Sequence, residues 1–74
     1  DRQALAQAFL RLKVEHRAAL VLVHYVGHSP QEVADILSVP VGTVYSRVHY
    51  ALRAMREALT EPASNRLPAT EPGR

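Results

Sequence analysis

The residues of this chain best suited to bind another molecule lie between positions 42 and 56. At about 100° per residue along a helix, Ser46, His49 and Arg53 share one side. Hydroxyl, imidazole and guanidinium groups in such an array can hydrogen-bond to base edges and phosphate oxygens. The spacing therefore predicts a DNA-binding helix face. The candidate contact residues on this face, its first turn and its flanks are Gly42, Thr43, Tyr45, Ser46, Arg47, His49, Tyr50, Arg53 and Arg56.

These candidates have different expected roles. Gly42 and Thr43 are small residues in the first helical turn, where free backbone N–H groups and the helix dipole favour a phosphate. Ser46, His49, Tyr50 and Arg53 are expected to face base edges or groove walls. The basic residues expected to reach phosphates are Arg47, Arg56 and, from an earlier part of the chain, Arg17.

Catalytic and metal chemistry are not favoured. Ser46 has His49 nearby, but no carboxylate on the same face orients that histidine for nucleophilic catalysis. His24 and His28 are four residues apart without a third ligand at metal-binding spacing, and the chain contains no cysteine. We therefore expect no catalytic residue, metal, cofactor or small-molecule substrate, and a protein that is not an enzyme.

The opposite side of the same helix is apolar. A sector of about one third of the circumference contains only apolar residues, and we expect it to face the core. The outward direction of the polar face follows from this inward direction of the apolar one. The predicted helix spans residues 41–59, and its core residues are Val44, Val48, Ala51, Leu52, Met55 and Leu59.

A short capped helix precedes this one. Ser29 is a candidate N-cap, Pro30 occupies the first helical position, and Glu32 stands three residues after the cap, which completes a capping box. The helix is predicted over residues 30–37. It ends there because Pro40 disfavours helical geometry at the residue before it.

The spacing across the break is that of a helix-turn-helix. Ala34 is small enough for another helix to approach closely, Ser38 follows in the turn, and Val44 lies six residues further on. In such motifs the second helix enters the major groove of DNA. The turn position favours glycine because a left-handed backbone is cheapest there, so Ser38 departs from the usual pattern.

Two further helices are predicted upstream. Apolar residues at helical spacing indicate a scaffold helix over residues 3–13. A second helix is predicted over residues 15–26, closed by Gly27 as a C-cap. Its apolar residues occur nearly all round, which predicts a position at the centre of the core, although a buried strand over the β-branched part remains an alternative. The first helix contributes Leu5, Ala8, Phe9 and Leu12, and we expect both Phe9 and Met55 in the core.

Composition bounds the fold class. The chain of 74 residues, 47% of them hydrophobic, suffices for one small helical domain near the lower size limit for a self-sufficient core. We predict an all-α, four-helix domain over residues 1–59 and a disordered, proline-rich tail over residues 60–74. No apolar run reaches the roughly 18 to 20 residues that span a bilayer, so the expected location is the cytoplasm. Because the sequence opens within a helical pattern without an initiator methionine, we expect a fragment of a longer protein.

The run from Leu12 to Leu59 resembles the C-terminal region 4 domain of an extracytoplasmic-function sigma factor of the sigma-70 class. The hallmark is the sequence VPVGTV at Val39–Val44, followed by Ser46 and Arg47. The resemblance covers about two thirds of the chain. It implies a four-helix domain that recognises the promoter minus-35 element while docked on RNA polymerase core, chiefly through the flap of the beta subunit.

The resemblance has two further implications. Many such proteins are held inactive by an anti-sigma factor until a stress signal releases them. A full-length relative also carries a separate region 2, which binds the minus-10 element.

The chain departs from the family pattern at Tyr45 and Tyr50, where relatives commonly carry basic residues. The two phenol groups can instead hydrogen-bond to phosphates or bases, or contact a thymine methyl group.

Two other functions remain open at this stage. A C-terminal domain of a two-component or quorum-type activator shares the capped helix and the following Thr-Val pair, and a receiver or ligand domain upstream would indicate it. A protein-interaction module, whose apolar surface binds an anti-sigma or polymerase helix without DNA contact, belongs to a different class. Direct measurement of DNA binding separates this second alternative from promoter recognition.

Overall fold

The computed structural model of the chain describes residues 2–60. Four helices follow one another: α1 (Arg2–Arg11), α2 (Val14–Leu20) with a π-helical continuation (Val21–Val26), α3 (Pro30–Leu37) and α4 (Val41–Thr60). No strand occurs among residues 2–60, so the predicted all-α class is confirmed and the strand alternative is wrong. Apart from Thr60, which ends α4, the predicted tail lies outside the described residues.

The boundary between the first two helices differs from the prediction. α1 ends at Arg11 rather than at residue 13. The N–H of Leu12 donates to the Phe9 carbonyl at 3.1 Å, which tightens the chain into a turn. Lys13 then has an extended ψ of 147°, so the helical path is interrupted before α2 begins.

The second helix changes its hydrogen-bond pattern along its length. Its last turn is π-helical, and the N–H groups of Gly27 and His28 both donate to the Leu22 carbonyl, at 3.2 and 2.9 Å. Gly27 has a left-handed backbone with φ of 98°. The predicted glycine C-cap is therefore confirmed, because only glycine adopts this conformation without a steric cost.

The core is centred on the helix-turn-helix. Val33, Ala34 and Val44 are buried and pack together. The predicted central position of the second helix is wrong only in part: the helix contacts both α3 and α4, but Ala19 is its one fully buried residue and Tyr25 is 88% exposed. Residues 16–23 are buried or half-buried, whereas the apolar residues at the two ends of this helix, Val14, Tyr25 and Val26, are exposed. The half-buried residues around the core are Leu22, Val23, Leu37, Val39, Val41 and Val48.

The apolar sector of α4 is buried along most of its length. Val44 and Ala51 are fully buried, and the next apolar positions are half-buried. Leu59, however, is 59% exposed, so its predicted core position is wrong. The end of α1 packs beside Ala54 and Ala58 instead, which leaves the Leu59 side of the last turn open.

The predicted capping box at the start of α3 is confirmed. The N–H of Glu32 donates to Ser29 Oγ at 3.1 Å, and the N–H of Ser29 donates to Glu32 Oε1 at 2.9 Å. Nδ1 of His28 lies 3.3 Å from the same carboxylate oxygen. The Ser29 N–H first, and then the His28 ring, hold the pKa of Glu32 below its ordinary value.

The turn between α3 and α4 has a left-handed residue where the motif requires one. Ser38 has φ of 58° and ψ of 48°, and the N–H of Val39 donates to the Ala34 carbonyl at 3.0 Å. This is the hydrogen bond of a Schellman motif, which ends a helix at a left-handed residue. Serine thus reproduces the geometry that glycine usually provides, at a conformational cost.

Replacing Ser38 by glycine should stabilise the domain. Removing the Cβ relieves the left-handed strain, and after the larger chain entropy of glycine is subtracted we expect a gain of about 0.5–1 kcal/mol in the free energy of unfolding. Urea denaturation followed by circular dichroism measures this change. Ser46→Gly, the same exchange in a helical position, should instead destabilise by about 0.5 kcal/mol. Equal effects at both positions would contradict the strain at Ser38.

Replacing Glu32 by glutamine should remove an acid-dependent loss of stability. The pKa of Glu32 is lowered in the folded state, so its carboxylate stabilises the fold. This contribution is complete when the pH is above about 4.3, the pKa of glutamate in an unfolded chain. That contribution is lost as the pH falls through the lowered folded pKa. Thermal melting between pH 7 and pH 2.5 should show a shallower acid-side decline for Glu32→Gln than for the parent. Glu15→Gln removes one charge from α2 and should leave the Glu32 contribution in place.

Candidate nucleic-acid interface

The outward face of α4 carries the polar residues that the sequence places there. Ser46, His49 and Arg53 are exposed, whereas Val44 and Ala51 on the other side of the same helix are buried. The two valines at the helix-turn-helix contact, Val33 and Val44, are the largest fully buried side chains among the described residues. The predicted division of α4 into an inward and an outward face is confirmed.

The structure brings the candidate contact residues onto one helix surface. Thr43 and Arg47 are half-buried, as expected for positions at the edge of the packed side. All other candidates are exposed to solvent, and their contact with DNA stays a prediction. The exposed candidates are Gly42, Tyr45, Ser46, His49, Tyr50, Arg53 and Arg56.

The first turn of α4 leaves space at Gly42. The Pro40 carbonyl accepts hydrogen bonds from the N–H groups of Thr43 and Val44, at 2.9 and 3.3 Å. A Cβ built on Gly42 meets no atom within 4 Å, and the residue is exposed. The packing of the domain therefore does not require glycine here. The missing side chain leaves the backbone of the first turn accessible to an approaching molecule.

Three aromatic rings form a cluster at the edge of this face. Tyr50 is stacked on His16 of α2, with ring centroids 5.8 Å apart and an angle of 19° between the planes. His49 meets the Tyr50 ring in a T-shaped arrangement at 5.5 Å. Sequence reasoning missed His16, because its neighbour in space lies far along the chain and no local pattern connects the two.

Arg53 has an acidic neighbour on its own helix. Its Nε lies 3.5 Å from Oε2 of Glu57, and both side chains are largely exposed. Together with His49, Arg56 and Thr60 they line an open cleft of about 430 Å³. Exposed ion pairs of this kind are weak, so the pair can open when a phosphate or a base edge approaches.

Arg17 makes contacts inside the domain. Its Nη1 donates to the Leu10 carbonyl at 3.4 Å, and its guanidinium carbon lies 5.8 Å from the centroid of the Phe9 ring. A cation above an aromatic face at this distance is attracted by the ring electrons. Arg17 therefore connects α2 to α1, and its role at a phosphate stays a prediction.

An apolar cleft opens between α1, the second helix and α4. It has a volume of about 560 Å³, and Tyr25 at its rim is strongly exposed. The predicted core positions of Phe9 and Met55 are wrong in part, because both residues are half-buried and line this open cleft. The excess of apolar residues over what so small a domain can cover is a sequence signal for such a surface. The lining residues are Phe9, Leu20, Val21, His24, Tyr25, Leu52 and Met55.

His24 and His28, which are four residues apart, lie in different environments. His24 lines the apolar cleft, whereas His28 faces the carboxylate of Glu32. Within residues 2–60, no three histidine, aspartate or glutamate side chains are grouped closely enough to hold a metal ion.

In the same range, no helix combines the length and the apolar character that crossing a membrane requires.

Comparison with known protein families gives one match that covers most of the chain. The family described as Sigma-70, region 4, matches residues 2–55. The matched range includes α1 to α3 and most of α4, with both the helix-turn-helix and the apolar cleft. The sequence resemblance and the family match therefore point to the same elements of the structure.

Several curated proteins are similar to the chain. The ECF RNA polymerase sigma factor SigL of Mycobacterium tuberculosis is 44% identical over 61 residues, 82% of this chain and 34% of that protein. The RNA polymerase sigma-E factor of Streptomyces antibioticus is 39% identical over 59 residues, 80% of this chain and 33% of that protein. The ECF sigma factor SigW of Bacillus subtilis is 35% identical over 57 residues, 77% of this chain and 30% of that protein. The chain thus spans about a third of the length of these relatives.

Proposed function

Because the chain belongs to the extracytoplasmic-function sigma factors of the sigma-70 family, as a region 4 domain, we propose that it recognises the minus-35 promoter element. In this proposal it directs RNA polymerase to initiate transcription in the cytoplasm. The observation that carries the proposal is the exposed polar face of α4, held outward by the buried contact of Val44 with Val33 and Ala34. The family regulates transcription, so the proposed role is binding rather than catalysis.

The proposed mode of reading follows from the faces of α4. The helix enters the major groove with Ser46 and His49 toward base edges, because both are exposed on the side opposite the core. The first turn approaches the sugar-phosphate backbone closely at Gly42, where a side chain is missing. Arg47 and Arg56 lie on the two flanks of the face, from which guanidinium groups reach phosphates on the groove walls.

The apolar cleft supports a second contact, with the polymerase. Its walls include Met55, which lies opposite Ser46 on α4, and Leu52, which lies between the two faces. A partner helix in the cleft therefore leaves the DNA face free. We place the flap of the beta subunit of RNA polymerase there, since an amphipathic helix in an apolar groove is a common mode of recognition.

Tethering explains how a weakly charged domain can select a promoter. The net charge of the chain is only +2, so phosphate attraction alone supplies little affinity. A domain bound to polymerase meets the promoter at a high effective concentration, which adds to the modest affinity of the isolated domain. An anti-sigma factor that occupies the same cleft would separate the domain from polymerase and hold it inactive.

Of the alternatives, the two-component or quorum-type activator is not supported by the family match. The protein-interaction module has one observation in its favour, the apolar cleft with the exposed Tyr25 at its rim. That cleft is compatible with either function. DNA binding by the α4 face is what distinguishes them.

Substitutions on the α4 face should weaken DNA binding by the 74-residue chain. The probe is a duplex enriched by the chain from a random pool, measured by fluorescence anisotropy. Arg53→Ala should lower affinity about fivefold or more, and Ser46→Ala by a smaller factor. Arg11→Ala removes the same charge from α1 and serves as the matched control. A chain that enriches no sequence, or equal losses for Arg11→Ala and Arg53→Ala, would contradict promoter recognition.

Gly42→Ala should separate stability from binding. Alanine favours the helix by up to about 1 kcal/mol, and nothing in the domain obstructs its Cβ, so the melting temperature should rise. Affinity for the enriched duplex should nevertheless fall, because the methyl group occupies the space in which the DNA backbone approaches. An unchanged affinity together with a higher melting temperature would argue against close approach at this turn.

Two tyrosines allow a matched test of the two surfaces. Tyr25→Glu places a charge at the apolar cleft and should weaken binding to the isolated beta flap about tenfold or more, with DNA affinity unchanged. Tyr45→Glu is the same exchange on the DNA face and should give the reverse pattern. Both side chains are exposed, so neither substitution disturbs the core. Flap binding that survives Tyr25→Glu would overturn the placement of the polymerase in the cleft.

A further inference from the structure

The ring of Tyr50 contacts a side chain from a second helix. One face of the ring is stacked on His16 of α2, and His49 meets the ring at a steep angle from α4. Tyr50 is still 52% exposed, so much of the phenol remains open to solvent on the proposed DNA face. The side chain is therefore a partly exposed aromatic surface, supported from two directions.

Such a surface suits an apolar group on a base edge. In the major groove the C5 methyl group of thymine is the apolar feature of the base edges, and the other exposed groups are hydrogen-bond donors and acceptors. A carbon ring gains by covering a methyl group, whereas an arginine or lysine side chain there would bind an acceptor or a phosphate. The aromatic character of Tyr50 thus points to thymine.

The support from α2 affects how well the ring can read a base. An exposed tyrosine on a lone helix samples several rotamers and loses that freedom on binding. The stack on His16 restricts the ring before DNA arrives, which lowers the entropy cost of binding and fixes the ring in the groove. His16 is half-buried and acts on the DNA through Tyr50, as a positioning residue.

From these contacts we infer that Tyr50 reads a thymine methyl group in the recognised promoter element and that His16 positions it. The inference rests on the proposed function, since it requires α4 to lie in the major groove. It adds the base that one residue selects and assigns a role to a residue outside the helix-turn-helix.

Deoxyuridine substitution tests the inference on the 74-residue chain. Each thymine of the enriched duplex is replaced in turn by deoxyuridine, which removes only the C5 methyl group. At one thymine the parent chain should lose affinity about two- to fourfold. Tyr50→Phe should keep this methyl sensitivity because the ring is retained, and Tyr50→Ala should abolish it.

Variants at His16 test the positioning role. His16→Ala should reduce the methyl sensitivity, and His16→Phe, which retains a stacked ring, should keep it. The affinity of His16→Ala for the duplex that already carries deoxyuridine should equal that of the parent, which a general loss of structure would not produce. Leu10→Ala removes an exposed apolar side chain from α1, outside the α4 face, and is the control that should leave the methyl sensitivity unchanged.

The outcomes separate the inference from the proposed function. Two results with a parent chain that enriches a sequence would overturn the reading by Tyr50 and leave promoter recognition standing. One is an enriched sequence without any thymine, and the other is an affinity that no thymine-to-deoxyuridine exchange changes. Methyl sensitivity that persists in Tyr50→Ala does the same. Full sensitivity in His16→Ala overturns the positioning role alone. A parent chain without any sequence preference overturns the proposed function and the inference with it.

Discussion

The contact of Val44 with Val33 and Ala34 is the constraint on which the rest of the domain depends. These three residues are buried at the crossing of α3 and α4, and a helix that buries one residue has its rotation about its own axis set. With Val44 inward, Ser46 and His49 face solvent. The proposed DNA face is thus a consequence of packing a valine against a small alanine, and not a separate property of the polar residues.

The turn before α4 shows how strongly this packing is favoured. Ser38 occupies a left-handed conformation that serine adopts at a cost, and the capping box at Ser29 and Glu32 orders the other end of α3. A short helix of eight residues is marginal alone, so its ends matter as much as its interior. Local capping and the buried contact together hold α3 at the angle that presents α4.

A small domain cannot cover all of its apolar residues, and here the remainder is concentrated. The π-helical end of the second helix has no fully buried residue, and Tyr25 stands exposed beside a cleft formed with Phe9 and Met55. α4 contributes Met55 to this cleft and Ser46, on the opposite side of the same helix, to the polar face. In the proposed function this separation allows polymerase and DNA to bind at the same time.

The sequence by itself determined the elements whose signals are local. Periodic apolar residues and a capping box specify α3 and α4, and the glycine cap ends the second helix. The inward direction of the Val44 side chain follows from the regular 3.6-residue repeat of α4. The placement of the second helix, the exposure of Leu59 and the stack of His16 on Tyr50 came only with the tertiary structure. Each depends on which parts of the chain meet in space, and apolar periodicity shows that a residue can be buried but not whether another element covers it.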